Sequence, residues 1–395
     1  MRRAFVAASR TAFKALYRLS RKNQRQDIAV FLSRQTNEPS YDFAQLAREL
    51  ESRGWTCVMH LKKVRARNIV PYAAHVVREI RLLGKCKLAV LDRYDPVVCL
   101  LDFESDDVDA AVEAEARAKG RRNLDFPRKP LVLQIWHAFG AYKKFGHQSV
   151  GTLEGHSADF TSAYDIHRNY SYVLCSGSGA REAFAEAFSC PTERVIPLVR
   201  PEYDELKALR EKRDAVKESE TTSEKPFTIL MAPTLRKSKE SAHPFRDLYE
   251  NRESFEGGID ATFTWSFHPL EANLPAPGNV SNQLLEADCL VTDYSSIAYE
   301  ACILGIPVIF YMPDLESYRI SPGLNADPQD LCPELCVYDA DDLRIRLQSL
   351  AIDFAAYPHD ALARFAASGF DPETDTLPGT AASRIVDFCM DHIAE

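Results

Sequence analysis

Short apolar runs alternate with amphipathic stretches of helical length through most of this chain. The apolar runs predict β-strands at 27–32, 56–61, 87–91, 97–101, 130–135, 227–231, 261–267, 289–292 and 307–311. Helical spacing of apolar residues predicts helices at 42–53, 72–83, 244–251 and 295–304. Strands that alternate with helices form parallel sheets with helices on both faces, so the sequence predicts a doubly wound α/β fold.

The 395 residues contain two such alternating series. The first predicts an N-terminal Rossmann-like domain at 27–205, and the second predicts a C-terminal Rossmann-like domain at 227–395. A polar stretch at 206–226 predicts the linker between them. A highly charged segment at 102–130 predicts an exposed helix and loop. Two Rossmann-like halves that face one central cleft are the simplest architecture for this pattern.

The charge of the chain is unevenly distributed. The 48 basic and 57 acidic side chains give a net charge of −9, which argues against a protein that coats nucleic acid. The first 26 residues, however, contain only basic charges: Arg2, Arg3, Arg10, Lys14, Arg18, Arg21, Lys22 and Arg25. Apolar side chains lie opposite the basic face, which predicts an amphipathic helix at 1–26 on an anionic membrane surface. A basic helix packed on its own domain remains the alternative.

Several common functional classes lack their signatures. The ten cysteines include no Cys-x-x-Cys pair, and no apolar run approaches the roughly 18 residues that cross a bilayer. There is no dinucleotide fingerprint, P-loop, serine hydrolase elbow or zinc protease motif. No carboxylate cluster suited to Mg²⁺ stands out either. The sequence therefore predicts no metal site and no cofactor.

A turn of small residues follows the predicted strand 289–292 and opens the next helix. It contains Asp293, Ser295 and Ser296. Free backbone N–H groups, two hydroxyls and the positive end of a helix together suit a diphosphate. An ordinary serine N-cap is the alternative, although it explains only one of the two serines.

Polar residues also follow the other predicted strands, at the sheet edge where ligands bind in open α/β folds. His137 directly follows a strand, with Lys143 and Lys144 within two helical turns. This histidine can accept a proton from a hydroxyl while the lysines hold an anion, and a structural role beside the preceding tryptophan stays open. Arg236 and His268 occupy similar positions in the second half and can neutralise phosphate.

Four motifs in this order resemble a known family. They are Trp-His-Ala-Phe-Gly at 136–140 with Lys-Lys-Phe-Gly at 143–146, Ala-Pro-Thr-Leu-Arg at 232–236, Phe-His-Pro at 267–269, and Thr-Asp-Tyr-Ser-Ser at 292–296 followed by Gly-Ile-Pro-Val-Ile-Phe-Tyr at 305–311. Over about residues 27–338 the chain resembles the CDP-glycerol glycerophosphotransferase family of bacterial teichoic acid primases and polymerases.

The resemblance implies a GT-B-type pair of Rossmann-like domains, with the acceptor on the first and the cytidine nucleotide on the second. It implies that an acceptor hydroxyl attacks the β-phosphorus of a CDP-polyol and that CMP leaves. It also implies that His137 is the general base and that His268 is a second catalytic histidine. The implied substrate-binding residues are Lys143, Lys144, Arg200, Thr234, Arg236, Asp293, Ser295, Ser296 and Glu300.

Two motifs depart from the family pattern. The more usual Trp-His-Gly-Thr-Pro reads Trp-His-Ala-Phe-Gly here, so the loop beside the base differs and the acceptor can differ with it. A Pro-Arg element with a nearby Asp is replaced by Leu-Val-Arg-Pro-Glu-Tyr-Asp at 198–204. Arg200 is therefore the least supported of the implied residues.

The implied partners follow from this chemistry. The donor is CDP-glycerol, with CDP-ribitol as the alternative, and the acceptor is a prenyl-diphosphate-linked saccharide. Together with the basic helix, this predicts a peripheral protein at the cytoplasmic face of the membrane. The size favours a primase or short-chain transferase, and a homo-oligomer is left open. The alternative functions are a nucleotide-sugar glycosyltransferase or epimerase of GT-B type, and a binding protein without turnover.

Overall fold

The computed structural model describes residues 2–20, 26–63, 69–101, 103, 129–152, 155–219, 226–236, 242–271, 273–275 and 280–394. The charged segment predicted at 102–130 lies almost wholly outside these residues, as do Arg21, Lys22 and Arg25. The described chain forms two parallel β-sheets with helices packed against them, which confirms the predicted α/β fold.

The first sheet has six parallel strands in the order β2-β1-β3-β4-β5-β6. The strands are β1 Gln26–Ser33, β2 Thr56–Leu61, β3 Cys86–Leu91, β4 Leu131–Gln134, β5 Tyr172–Cys175 and β6 Val195–Pro197. The helices of this half are Arg2–Ser20, Tyr41–Ser52, Ile69–Leu83, Pro96–Leu100, Ala158–Tyr164 and Arg181–Phe188. The central strands are buried on both faces, which explains their nearly continuous apolar sequences.

The second sheet has five parallel strands in the order β11-β10-β9-β7-β8. The strands are β7 Phe227–Met231, β8 Ala261–Trp265, β9 Cys289–Thr292, β10 Val308–Tyr311 and β11 Cys336–Val337. The helices that follow β6 are Glu202–Ser219, Pro244–Glu250, Arg252–Glu256, Val280–Glu286, Ile297–Leu304, Leu315–Ile320, Pro328–Leu331, Ala340–Ile352, His359–Ala367 and Ala381–Ala394. The strand order reverses between β7 and β9, and such a switch point leaves a crevice at the carboxyl ends of the strands.

One predicted strand is wrong. Residues 97–101 lie mostly within helix Pro96–Leu100. The Asp95 side chain accepts hydrogen bonds from the N–H groups of Val97 at 2.7 Å and Val98 at 3.1 Å, and proline occupies the first helical position. Both features start a helix, whereas a short apolar run alone does not distinguish a buried strand from a buried helix.

The N-terminal basic segment is helical over Arg2–Ser20, but its apolar side is covered by protein. Tyr17 is 1% exposed and contacts the ring of Phe103 edge-on at 5.3 Å. Phe13 and Leu16 pack against the same core. The apolar side of this helix is therefore covered by its own domain, as the alternative predicted. Among the described helices none is long and apolar enough to span a bilayer.

The predicted linker at 206–226 is largely helical. Helix Glu202–Ser219 packs on helix Ile297–Leu304, and Arg213 Nη2 donates a 2.8 Å hydrogen bond to the carbonyl oxygen of Leu304. Residues 220–225 lie outside the described part of the chain. Most of this segment therefore belongs to the packed second half.

The last helix returns to the first half of the molecule. In helix Ala381–Ala394, Ile385 and Val386 are 1% exposed and belong to the same core as Phe31 of β1 and Leu133 of β4. The final helix of the predicted C-terminal domain at 227–395 thus packs against the first sheet.

The two passages between the halves bond to each other. The Tyr203 hydroxyl donates a hydrogen bond of 2.5 Å to Asp375 Oδ1, and Lys207 Nζ lies 2.7 Å from the same oxygen. The Ala381 N–H donates a hydrogen bond of 2.7 Å to Asp204 Oδ2. The two connecting segments therefore run side by side.

The packing of the first helix predicts a measurable stability effect. Tyr17→Ala should lower the free energy of unfolding by about 3–5 kcal/mol, because it leaves a cavity where a fully buried ring was. The matched control is Leu19→Ala on the same helix, at a side chain 86% exposed, which should change stability by less than about 0.5 kcal/mol. Urea unfolding followed by circular dichroism measures both. Equal effects would contradict the packing described.

Candidate functional site

The loop that follows β4 reaches across to the second half. The Tyr142 hydroxyl donates a hydrogen bond of 2.6 Å to the carbonyl oxygen of Asp293, which is 151 residues away in the sequence. Gly140 in the same loop has a φ of +61°, and a Cβ added there would lie 2.4 Å from the ring of Tyr299. Only glycine allows this close approach. The Trp-His motif and the Thr-Asp-Tyr-Ser-Ser motif are thus in direct contact.

His137 lies in a turn at the carboxyl end of β4. The preceding Trp136 has a φ of +58°, and its N–H donates a 2.9 Å hydrogen bond to Gln134 Oε1. His137 Nδ1 lies 3.3 Å from the carbonyl oxygen of Asp92. Because a carbonyl oxygen only accepts, Nδ1 carries the proton in this contact and Nε2 keeps its lone pair.

The surroundings of His137 favour its neutral form. Burial, followed by the positive charges of Arg93 and Arg200, lowers the pKa of His137 to about 3. The contact with the carbonyl oxygen of Asp92 acts in the opposite direction, and Lys143 adds a smaller lowering effect. The imidazole is therefore uncharged at neutral pH and can accept a proton.

The two arginines near His137 differ in their partners. Arg200 Nη1 lies 3.0 Å from Asp42 Oδ2, a second bond joins Arg200 to Glu202, and the guanidinium stacks on the ring of Phe139 at 4.2 Å. Arg93 lies two residues after the end of β3, and the charge of the neighbouring Asp92 carboxylate acts on it. Arg93 is half-buried, and its positive charge lowers the pKa of His137.

Two carboxyl groups surround Arg200 from the side of the second half. Glu300, on helix Ile297–Leu304, accepts a 3.0 Å hydrogen bond from the Ser281 hydroxyl. Burial raises the pKa of Glu300, and Arg200 partly offsets that effect. Burial also raises the pKa of Glu202 to about 7, against the opposite effect of Arg200. The charge of Arg200 therefore acts on Glu300, although the structure shows no direct bond between them among the described residues.

Asp293 links the loops that follow β7 and β9. Its Oδ1 accepts hydrogen bonds of 2.7 Å from the N–H groups of both Thr234 and Tyr294. Its Oδ2 lies 2.9 Å from Arg236 Nη2, and the aspartate is 2% exposed. These two loops lie on either side of the switch point of the second sheet. The Asp293 carboxylate therefore holds both walls of the crevice in position.

Arg236 is buried within this network and is not directed into open solvent. Its Nη2 also lies 3.0 Å from Asp314 Oδ2, and its guanidinium lies 5.1 Å from the ring of Tyr294 and 4.8 Å from that of Tyr318. Two carboxylates, those of Asp293 and Asp314, therefore neutralise the guanidinium charge that the sequence analysis expected to bind phosphate. Nη1 has no hydrogen-bond partner in the described chain.

The two serines of the Thr-Asp-Tyr-Ser-Ser motif have fewer hydrogen bonds than the other residues of this site. Ser296 occupies the N-cap position of helix Ile297–Leu304, but its side chain makes no capping hydrogen bond. In the described part of the chain, neither serine hydroxyl nor the N–H groups of Ser295 and Ser296 have a hydrogen-bond partner. These donors are free at the positive end of a helix, as the anion-site prediction requires.

Other predicted residues lie at the margins. His268 is exposed, and its Nδ1 accepts a 3.2 Å hydrogen bond from the N–H of Leu270. Lys144 is exposed, and its N–H donates a 2.9 Å hydrogen bond to the carbonyl oxygen of Gly323. The buried Thr234 hydroxyl has no partner among the described residues. These residues belong to loops around the crevice, and the structure shows no contact of His268 with Arg236 in the described chain.

A family model described as CDP-Glycerol:Poly(glycerophosphate) glycerophosphotransferase matches residues 15–388. The chain belongs to this family. The match includes the loops that carry His137, Arg236, Asp293 and both serines, and it confirms the family predicted from the four motifs.

Curated relatives of this glycerophosphotransferase-family chain include enzymes named for two polyols. The teichoic acid poly(ribitol-phosphate) polymerase of Bacillus spizizenii (strain W23) is 30% identical over 290 residues, which is 68% of this chain and 44% of that protein. The teichoic acid ribitol-phosphate primase of the same strain is 29% identical over 48% of this chain and 54% of its own length. The teichoic acid glycerol-phosphate primase of Bacillus subtilis (strain 168) is 24% identical over 70% and 68%. The chain spans about half the length of the first two.

A solved structure shows the same fold. The wall teichoic acid polymerase TagF aligns with a TM-score of 0.65 over 99% of this chain and 95% of that chain, at 17% identity. A variant of TagF soaked with CDPG aligns with the same TM-score at 16% identity. This likeness confirms the predicted GT-B-type pair of domains.

Sequence reasoning missed two residues of the site. Arg93 follows β3 just as His137 follows β4, so the strand-end argument applied to it as well. Asp314 follows β10 at the same distance as His137 follows β4, so the argument applied to it too, but nothing in the sequence indicated its pairing with Arg236, 78 positions away.

The Asp293 network predicts a stability effect. Asp293→Asn should lower the free energy of unfolding by about 3 kcal/mol, because Arg236 stays buried with one of its two carboxylate partners removed. Asp260→Asn, at an exposed aspartate after helix Arg252–Glu256, is the control and should stay within about 0.5 kcal/mol. Denaturant unfolding of both variants checks this. An Asp293 variant as stable as the control would show that the network contributes little.

Proposed function

We propose that this chain transfers a polyol phosphate from a CDP-polyol to a hydroxyl of an acceptor and releases CMP. The observation that carries the proposal is the Tyr142–Asp293 hydrogen bond, because it joins the loop of the candidate base to the loop of the candidate diphosphate site. Membership of the glycerophosphotransferase family and the names of the teichoic acid relatives support the same reaction.

The chemistry follows from the protonation state of His137. Its Nδ1–H is directed to the carbonyl oxygen of Asp92, so Nε2 accepts the proton of the acceptor hydroxyl. The hydroxyl oxygen then forms a bond to the β-phosphorus, and the bond from that phosphorus to the CMP oxygen breaks. A base with a pKa of about 3 is weak in the free protein. The negative charge of a bound diphosphate offsets Arg93 and Lys143 and strengthens the base when substrate is present.

The proposed diphosphate site uses the free donors of Ser295 and Ser296. Fixed N–H and hydroxyl donors stabilise charge on a leaving phosphate without reorganisation during the reaction. Arg236 has a positioning role in this scheme, since Asp293 and Asp314 already neutralise it. The same pairing leaves no spare carboxylate at this loop for Mg²⁺, and we therefore propose transfer without a divalent cation. His268, which is exposed on a loop at the crevice, is proposed to help hold the diphosphate, as the resemblance implies.

The donor polyol is glycerol or ribitol in this proposal. Relatives named for ribitol phosphate and for glycerol phosphate both align with the chain, so both donors are compared in the assay. A lipid-linked saccharide acceptor at the cytoplasmic face of the membrane is the partner suggested by the primase relatives. Arg18 and Leu19 are exposed on the first helix, and contact with a membrane would use that outer side.

A first test measures acceptor-dependent release of CMP. The purified chain is supplied with CDP-glycerol or CDP-ribitol and with membranes or a synthetic prenyl-diphosphate disaccharide. His137→Ala should lower kcat by about 10²–10⁴-fold, because a general base contributes that much, and should leave donor binding nearly unchanged. His359→Ala, at an exposed histidine of the second half, is the control and should keep full activity. Equal loss in both variants, or none in His137→Ala, would remove the proposed base.

The pH dependence provides a second test. Because the pKa of His137 is lowered to about 3, its neutral form persists well below pH 6.5 in the free protein. The acid limb of kcat/KM for the CDP-polyol should therefore lie below pH 5. Arg93→Met should shift that limb to higher pH, because it removes a positive charge that lowers the pKa. A limb near pH 6.5 in the unmodified protein, unmoved in Arg93→Met, would contradict the assignment.

A further inference from the structure

Two histidines and a glutamate meet at the outer edge of the first sheet, away from the site described above. His60 lies on β2, and His75 and Glu79 lie four residues apart on helix Ile69–Leu83, which places them on one face of that helix. The Nε2 atoms of His60 and His75 lie 3.9 and 4.0 Å from Glu79 Oε2. One nitrogen or oxygen atom from each of the three side chains lies within 4.8 Å of the others.

The three side chains are buried, and each has one polar atom without a hydrogen-bond partner among the described residues. His60, His75 and Glu79 are 4%, 8% and 0% exposed. Within the described chain, neither Nε2 nor Glu79 Oε1 forms a hydrogen bond. A buried polar atom without a partner is unfavourable, and here three such side chains converge on one point. A bound cation would satisfy all of them at once.

Glu79 also belongs to a network of buried charged groups. Arg34 Nη2 lies 2.7 Å from Glu79 Oε2, and Arg34 Nε lies 2.5 Å from Asp95 Oδ2. The two buried carboxyl groups therefore share one guanidinium, and positive charges from Arg34, Lys62 and Arg78 also act on the two histidines. Arg34 also holds Glu79 in place from behind, as a hydrogen-bonded second group does for a ligating carboxylate.

We infer that His60, His75 and Glu79 form a binding site for a divalent transition metal of the zinc type. Two imidazoles and one carboxylate are an established ligand set for zinc, with a fourth position left for water. Zinc-to-nitrogen bonds of about 2.0–2.1 Å place tetrahedral ligand atoms about 3.3 Å apart. The two histidine–glutamate distances would therefore shorten by roughly 0.6–0.7 Å on binding, and the widest pair of ligand atoms, within 4.8 Å now, by up to about 1.5 Å. The two rings stack 3.8 Å apart at 13°, and they must turn toward a shared point to direct both nitrogens at one ion.

The site is separate from the reacting phosphate. β2 lies three strand positions from β4, which is about 14 Å across a sheet. The metal would tie helix Ile69–Leu83 to the edge strand and would not contact the CDP-polyol. This inference departs from the sequence-based expectation of no metal site, and it does not depend on the proposed transfer reaction.

The test titrates untagged full-length protein, first stripped with a chelator, with Co²⁺ and Zn²⁺. Visible absorption of Co²⁺ and metal analysis after gel filtration should show one ion per chain. His75→Ala and Glu79→Gln should bind more than about tenfold more weakly, whereas His359→Ala should bind like the unmodified protein. No bound metal in the unmodified protein, or equal binding in all variants, would overturn the inference.

Thermal unfolding provides an independent readout. Zn²⁺ should raise the Tm of the unmodified protein and of His359→Ala, and should leave the Tm of Glu79→Gln unchanged, because a ligand that binds the native state stabilises it. Glu79→Gln keeps the size of the side chain, and circular dichroism without metal confirms that it is folded. If it does not fold, His60→Gln takes its place. An equal Zn²⁺-induced shift in the variant and in the unmodified protein would also overturn the inference.

Discussion

The buried carboxylate of Asp293 is the constraint on which the arrangement of the site depends. It accepts two backbone N–H groups from different strand-end loops and pairs with a buried arginine, so its charge is stabilised only while all three partners stay in place. Its backbone carbonyl receives the Tyr142 hydroxyl from the opposite half. One residue thus fixes the shape of the diphosphate loop and its distance from the candidate base.

The sequence predicted the architecture well because buried parallel strands leave a strong signal. Apolar runs located β1, β7 and β9 to within about one residue, and the polar residues after them mark the sheet edge that faces the crevice. Strands β5, β6 and β11 were missed. β6 and β11 have only three and two residues, which carry too little pattern, whereas β5 is as long as β9 and its apolar run was overlooked. The apolar side of the first helix shows that something must cover it. A helix covered by lipid and a helix covered by protein have the same hydrophobic periodicity, so the sequence does not tell which.

Pairings between distant segments are what the sequence could not provide. Nothing near Arg236 indicates that Asp314 neutralises it, so an arginine at a strand end looked like a phosphate ligand. The spacing of His75 and Glu79 on one helix was visible, but the third member, His60, joins them only through the packing of β2 against that helix. The serine loop was predicted correctly as a set of free donors, because a helix start leaves N–H groups unpaired by its own geometry.

The return of helix Ala381–Ala394 to the first sheet determines how the cleft can open. The second half is inserted between two chain segments, and Tyr203, Asp204 and Lys207 of one segment bond to the other. Two connections bonded side by side restrict the relative motion of the halves to bending at one place, and they oppose rotation of one half about the other. Any separation of the halves would break the Tyr142–Asp293 hydrogen bond, so in the proposed reaction entry of the nucleotide and closure of the site would be one event.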